Sequence, residues 1–149
     1  MVKKKKNFAL FYIIFLAALI IADQLTKFLA KNYLSESLPV IANIFHLTFV
    51  KNFGIAFGLL QGINSYMIWI YLIVLGLIIY FYDKFPKDRF SRTMLFFLIA
   101  GLLGNLIDRI AFGYVIDFFD FRIWPVFNLA DVYLNIGIIG LIVKEFFKK

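Results

Sequence analysis

The chain of 149 residues contains no cysteine, only three prolines, a single histidine and nine acidic residues. Without cysteine there can be no disulfide, no thiolate nucleophile and no thiolate metal site. The sequence also lacks a His-Glu-x-x-His zinc motif, a Gly-x-Ser-x-Gly elbow, a Ser-x-x-Lys pair and a Walker phosphate loop. Among the familiar catalytic devices, a pair of carboxylates therefore remains.

Apolar residues dominate what is present. They make up 63% of the chain, aromatic residues make up 20%, and the mean hydropathy is +0.88. Such a composition indicates a single integral membrane domain, 1–149, without a soluble module. The formal charge of +7 does not indicate nucleic-acid binding, because most basic residues form three clusters that flank apolar runs, as membrane orientation signals do.

Four apolar stretches approach the roughly 20 helical residues that cross a hydrocarbon core. They cover about 8–30, 66–82, 93–112 and 127–147. We therefore expect an all-α polytopic membrane protein with four transmembrane helices, with longer connections at 31–65 and 113–126. If the helices alternate in direction, the three basic clusters share one side, which is the cytoplasmic side by the positive-inside rule. Both termini are then cytoplasmic and both longer connections face outward.

This topology places several acids at a similar depth. At about 1.5 Å per residue, Asp23, Asp108 and Asp131 each lie roughly 20 to 25 Å along a helix from a basic cluster. Polar groups from three separate helices thus converge on the outer third of the bilayer. Such convergence favours a shared site.

Asp117 and Asp131 are the most informative acids, because both have apolar sequence neighbours. A carboxylate near hydrocarbon is costly and is by default a functional-site hypothesis. The alternatives are a loop acid for Asp117 and helix capping for Asn128 and Asp131. Asp120 has a similar aromatic context, but we expect it to be a surface residue.

Two further groups of polar residues have helical spacing. Asp23 and Lys27 stand at i and i+4, and this pair either stabilises the helix at the membrane surface or orients the site. Asn105, Asp108 and Arg109 share one helical face. Arg109 can hold carboxylates or backbone carbonyls, although a purely structural network fits the spacing equally well.

The first long connection contains a strand pattern. Phe45, Leu47 and Phe49 alternate with more polar neighbours, which predicts a strand with one apolar face. Asn52, Gly54 and Gly58 follow in a glycine-containing apolar segment suited to close approach of a ligand. We expect a small extracytoplasmic sheet lying on the membrane, with His46 as one of its strand residues.

Two acids at one site cannot easily both ionise, so one can act as an acid while the other, as a base, activates water. Aspartic proteases work in this way. A small transporter that uses the same groups as a proton or ion pathway is the alternative. The inner halves of the first and third helices oppose it, since they offer no ionisable partners. A non-catalytic membrane interaction protein would leave the paired acids unexplained.

Five short motifs occur in order along nearly the whole chain: DQLTK from Asp23, NFGIAF from Asn52, GNLIDR from Gly104, VIDF from Val115 and FNLAD from Phe127. Together they resemble the bacterial lipoprotein signal peptidase family, signal peptidase II. The resemblance implies a membrane aspartyl endopeptidase that removes signal peptides from prolipoproteins, cutting before the diacylglyceryl-modified cysteine. It implies residence in the bacterial cytoplasmic membrane, with the active site toward the outer leaflet.

The resemblance also assigns roles to individual residues. Asp117 and Asp131 would be the catalytic dyad. The residues that position the substrate or the dyad would be Asn52, Gly54, Asn105, Arg109 and Asn128. Structural support would come from Asp23, Lys27 and Asp108. No metal and no organic cofactor is implied; the expected partners are lipid-modified prolipoproteins and membrane lipid, and we expect a monomer.

Overall fold

The computed structural model describes residues 2–54 and 64–147. Within them the chain forms helices and one small antiparallel sheet with strand order β1-β2-β3. In chain order the elements are α1 (Val2–Tyr33), β1 (Leu38–Ile41), β2 (Phe45–Asn52), α2 (Asn64–Tyr80), a 3₁₀ turn (Tyr82–Lys84), α3 (Arg89–Phe112), β3 (Val115–Asp120) and α4 (Leu129–Phe146). The mostly helical class and the sheet between α1 and α2 are therefore as expected.

Two helices in the described part of the chain are long and apolar enough to cross a membrane. They are the segment Ala9–Tyr33 of α1 and all of α3. The α2 helix is apolar but has only 17 residues, and α4 has 18 residues that include three charged ones. Four transmembrane helices thus remain a prediction.

The surface of α1 is apolar around most of its circumference. Large side chains such as Leu10, Phe11, Ile13 and Ile14 are each more than half exposed. An apolar helix that is not covered by protein requires another apolar environment, and hydrocarbon supplies it.

Glycines bring α3 and α4 into close contact. A Cβ atom added at Gly101 would lie 2.5 Å from the carbonyl oxygen of Ala130, and one at Gly137 would lie 2.6 Å from the amide nitrogen of Leu98. Small residues permit this approach of two backbones, as is common between membrane helices. The approach brings the side chain of Asn105 to the first turn of α4.

The third strand comes from the connection 113–126, where no strand was expected. Gly113 ends α3 in the left-handed conformation, with φ of 78°, and its amide donates to the carbonyl of Arg109. The chain then enters β3, which pairs antiparallel with β2 so that Asp117 lies opposite Val50. Ile116 and Phe118 pack with Ala30 of α1, which fixes the sheet on the end of that helix.

Candidate active site

Asp117 lies in β3 and is 2% exposed. Its two carboxylate oxygens accept hydrogen bonds from two side-chain amides. Asn52 donates to Oδ2 at 2.9 Å, and Asn128 donates to Oδ1 at 2.7 Å. The residue is therefore a buried acid held in place by neutral groups, and the interpretation as a surface loop acid is wrong.

Asp131 lies in the first turn of α4 and takes part in a capping box with Asn128. The backbone amide of Asn128 donates to Oδ2 of Asp131 at 3.1 Å, and the backbone amide of Asp131 donates to the side chain of Asn128 at 2.9 Å. The capping interpretation is thus confirmed for both residues. The capping interaction uses Oδ2 of Asp131, so Oδ1 can accept another hydrogen bond, and Asn105 donates to it at 2.8 Å.

Asn128 connects the two acids. Its side-chain nitrogen donates to Asp117 and, at 3.1 Å, to the side-chain oxygen of Asn105. Its side-chain oxygen accepts from the backbone of Asp131. Among the described residues, no cation forms an ion pair with Asp117 or Asp131. Burial, together with the nearby charge of Asp131, raises the pKa of Asp117 to about 7.

A second cluster of charged groups lies directly beside this pair. Lys27 is 1% exposed, and its ammonium group is 2.9 Å from Asp23 and 3.1 Å from Asp108. The predicted ion pair between Asp23 and Lys27 is therefore confirmed, but it is buried within the protein and is shared with Asp108. Gln24 donates to both Asp23 and Asp108, so the cluster joins α1 to α3 by charge-assisted hydrogen bonds.

The charged cluster also holds the two elements that carry the acids. Asp23 accepts a hydrogen bond of 2.8 Å from the backbone amide of Ala130, at the start of α4. Asp108 accepts one of 3.0 Å from the backbone amide of Ile116, next to Asp117. Lys27 donates to Asn105 at 3.1 Å, and Asn105 in turn contacts Asp131. The cluster thus fixes both the strand and the helix of the acid pair.

Arg109 anchors the end of the first long connection. Its guanidinium donates to the carbonyl of Gly54 at 2.8 Å and to the side chain of Asn64 at 3.2 Å. The amide of Gly54 donates to the side chain of Asn52, which orients Asn52 toward Asp117. We expected Arg109 to hold either carboxylates or backbone carbonyls, and the structure shows a backbone carbonyl, that of Gly54. Gly58 lies outside the described residues.

Asp120 is not the surface residue that was expected, because it is only 6% exposed. It accepts hydrogen bonds from the backbone and guanidinium of Arg122 and from the hydroxyl of Thr48. Although burial raises the pKa of Asp120, these hydrogen bonds outweigh it and leave the pKa below its usual value. The backbone of Arg122 has a positive φ of 64°, so Asp120 stabilises a tight turn after β3. His46 lies in β2 as expected, with Nδ1 3.1 Å from the hydroxyl of Ser37.

Both acids line a cavity of about 820 Å³. Its polar end also includes Asn52, Gly54, Asn105 and Arg109. From there it continues along α4 past apolar side chains, opposite residues of α2 and α3. A buried carboxylate pair at one end of a mostly apolar cavity can activate water for attack on a bond of an apolar ligand.

Sequence reasoning missed several residues that line this cavity. Trp124, Tyr71 and Asn135 all contribute to it. The guanidinium group of Arg109 lies over the ring of Tyr71, with 5.8 Å between the guanidinium carbon and the ring centroid. A polar residue within the apolar run of α4 was the available signal for Asn135; no comparable signal singled out the two aromatic residues.

Comparisons with known proteins give a consistent result. A family model described as signal peptidase (SPase) II matches residues 15–147. The lipoprotein signal peptidase of Moorella thermoacetica is 48% identical over 130 residues, which cover 85% of this chain and 87% of that protein. The lipoprotein signal peptidase of Halothermothrix orenii is 46% identical and covers 85% of this chain and 88% of that protein.

The fold has a solved relative as well. A bacterial membrane enzyme determined by the in meso method superposes with a TM-score of 0.81 at 34% identity, covering 91% of this chain and 87% of that one. The matched range of the family model, 15–147, includes both Asp117 and Asp131. The chain belongs to the signal peptidase II family.

Proposed function

We propose that this chain is an aspartic endopeptidase that removes signal peptides from prolipoproteins, with Asp117 and Asp131 as its catalytic dyad. The observation that carries the proposal is the pair itself: two carboxylates, linked through Asn128, at the polar end of an apolar cavity. Membership of the signal peptidase II family supports the substrate class and does not favour an ion pathway.

The dyad works with one shared proton. The ionised carboxylate takes a proton from water while the water oxygen attacks the scissile carbonyl carbon, and the protonated carboxyl gives its proton to the carbonyl oxygen. The tetrahedral intermediate then breaks its carbon–nitrogen bond: the leaving nitrogen receives a proton from the dyad, and a hydroxyl group of the intermediate returns its proton to the dyad as the new carboxyl group forms. The dyad ends with one proton, as it began.

The neighbouring residues keep the two carboxylates in position. Asn52, Asn105 and Asn128 donate to them without neutralising them. The interactions of Arg109 with Gly54 hold the cavity wall next to Asn52. The structural supports Asp23, Lys27 and Asp108 fix the backbones of α4 and β3. Each role follows from a contact of the residue concerned.

The enzyme resides in the bacterial cytoplasmic membrane, with four transmembrane helices, both termini in the cytoplasm and the dyad toward the outer leaflet. The apolar surface of α1 and the three basic clusters support this arrangement. It suits a substrate whose cysteine carries a diacylglyceryl group, because the acyl chains stay in the bilayer while the scissile bond reaches the dyad. The chain acts as a monomer, as its own residues line the cavity.

The test is cleavage of one prolipoprotein with and without its diacylglyceryl group. We expect the purified enzyme to shorten the lipid-modified form much faster, because burial of the acyl chains contributes to binding. Equal rates for the two forms would indicate a general signal peptidase. No cleavage of either form by folded enzyme would refute the proposed activity.

A further inference from the structure

Asn135 is a polar residue in the apolar middle of α4. Its side chain is exposed, and it lines the same cavity as the dyad. A polar side chain in a membrane helix is costly unless it has partners, so its presence at a cavity wall suggests a function. It stands four residues after Asp131, which places it roughly 6 Å further along the helix axis.

The structure shows how much of this side chain is already used. The amide nitrogen of Asn135 donates at 2.8 Å to the carbonyl oxygen of Asp131, one turn back. The side chain of Asn135 makes no other hydrogen bond to the described residues. A carboxamide has two N–H donors and an oxygen with two lone pairs. One donor and the whole acceptor therefore remain for a ligand in the cavity.

The free donor and acceptor of Asn135 lie in an otherwise apolar part of the cavity wall. On this side of the dyad the cavity wall is formed by Val132, Ile136, Ile139 and Gly140 of α4. Met67 and Met94 line it from the other helices. A ligand that enters this apolar section with polar backbone groups must satisfy them internally or at Asn135, because water cannot do so in hydrocarbon.

We propose that Asn135 binds the backbone of the substrate about two residues before the scissile bond. This inference depends on the proposed function and deepens it. A signal peptide has its charged end in the cytoplasm and its cleavage site after the apolar segment, so the residues before the scissile bond lie on the inner side of the dyad. An extended chain advances about 3.3 Å per residue, and two residues span the distance between Asp131 and Asn135.

The choice of a peptide group follows from the chemistry of the carboxamide. A peptide unit offers one N–H and one C=O, and the free donor and acceptor of Asn135 complement both. The ester groups of the diacylglyceryl moiety offer only acceptors. The unwound residues next to a cleavage site have lost their helical hydrogen bonds, so their backbone gains most from such a partner. Asn135 is thus a substrate-binding residue, separate from the dyad.

The test compares wild type and Asn135→Leu on a lipid-modified prolipoprotein peptide. Leucine has a similar volume and leaves the helix intact. We expect kcat/KM to fall about tenfold, mainly through KM, since the lost hydrogen bond contributes equally to ground state and transition state. The matched control is Ile138→Ala, because Ile138 is exposed on the same helix but does not line the cavity. Its kcat/KM should not change.

Two modified substrates identify the bound group. In the first, an ester oxygen replaces the peptide N–H two residues before the scissile bond. Wild type should lose a similar factor on it, and Asn135→Leu should lose nothing further, because the interacting pair is already broken. In the second, ether linkages replace both acyl esters; the effect of Asn135→Leu should persist.

Three results would overturn the inference: unchanged kcat/KM in Asn135→Leu, additive losses on the backbone-ester substrate, or an effect that vanishes on the ether lipid. The last would show that Asn135 binds the lipid ester. Wild-type measurements on the backbone-ester substrate do not depend on how well the variant folds. If wild type cleaves no prolipoprotein at all, the proposed function fails and not this inference alone.

Discussion

Two groups of buried acids lie side by side in this molecule and have opposite electrostatic surroundings. Asp23 and Asp108 both contact the ammonium group of Lys27. Asp117 and Asp131 instead receive hydrogen bonds from amides, and among the described residues no cation pairs with them. Neighbouring acids in the protein interior therefore differ in what balances their charge.

The difference separates a structural role from a chemical one. A cation beside a carboxylate favours the ionised form, and the acids paired with Lys27 hold the backbone amides of Ala130 and Ile116 in place. Neutral donors leave the cost of burial largely uncompensated, and the second acid adds repulsion. The pKa of Asp117, raised to about 7, shows an acid that can gain and lose a proton near neutral pH, as general acid and base catalysis requires.

The largest expected effect concerns the neutral-donor pair. Asp117→Asn and Asp131→Asn should each lower kcat by at least about 10³-fold, because an amide cannot exchange protons with water or with the leaving nitrogen. The double variant should be no worse than either single one, since the two residues act as one unit. Product formation from a lipid-modified prolipoprotein is the measurement, with thermal unfolding as a check on folding.

Asp120→Asn is the matched control for this prediction. Asp120, like Asp117, is a buried acid of β3, but it does not line the cavity, and its interactions hold the turn at Arg122. Its replacement should reduce activity less than tenfold. Substantial turnover by a folded Asp117→Asn or Asp131→Asn variant would refute the aspartic mechanism.

The next effect concerns the charged cluster. Lys27→Met should lower the free energy of unfolding by about 3 to 5 kcal/mol, because it leaves Asp23 and Asp108 buried without a cation. Lys31→Met is the control: Lys31 lies one turn further along α1 and is exposed, so its change should stay within about 1 kcal/mol. Equal unfolding temperatures for Lys27→Met and wild type would show that the cluster is not structural.

The sequence predicted the parts of this comparison that depend on local pattern. Long apolar runs predicted the helices, and the alternation of Phe45, Leu47 and Phe49 predicted β2, since one face of that strand is less polar than the other. The apolar neighbours of Asp117 and Asp131 marked both as unusual. Helix depth predicted a shared site for Asp131 but did not include Asp117, whose pairing with Asp131 was inferred from the apolar neighbours of both acids; the hydrogen bonds of Asn128 to both acids agree with that pairing.

The features that sequence reasoning missed depend on distant contacts. The β3 strand is buried at five of its six positions, so it shows no alternation that would indicate a strand. Lys27 is buried by Asp108 and Asn105, about 80 positions away in sequence. Asp120 is buried because β2 passes beside it and supplies Thr48. Local sequence cannot show which charged residue will meet a distant partner.

The smallest expected effect is a pH dependence of the free energy of unfolding that is linked to Asp117. The folded-state pKa of Asp117, about 7, exceeds its ordinary value of 3.8, so between these values the folded protein holds a proton that the unfolded chain has lost. The stabilisation linked to that proton is fully present below pH 3.8 and is lost as the pH rises through 7. Asp117→Asn removes this dependence. The unfolding free energy of wild type relative to the variant should therefore fall by about 3 kcal/mol between pH 5 and pH 8.

The same proton should govern the alkaline side of the activity profile. Above pH 7 the shared proton leaves the dyad, and kcat/KM should fall about tenfold per pH unit, because no acid remains to protonate the carbonyl oxygen. Wild type should be assayed between pH 5 and pH 9, with unfolding of wild type and Asp117→Asn followed over the same range. In Lys27→Met, loss of a nearby positive charge should move the alkaline limb to higher pH, since Lys27 lowers the pKa of Asp117. A profile that stays flat to pH 9 in wild type would mean that Asp117 does not titrate near 7, and the contrast between the two groups of acids would then lose its chemical meaning.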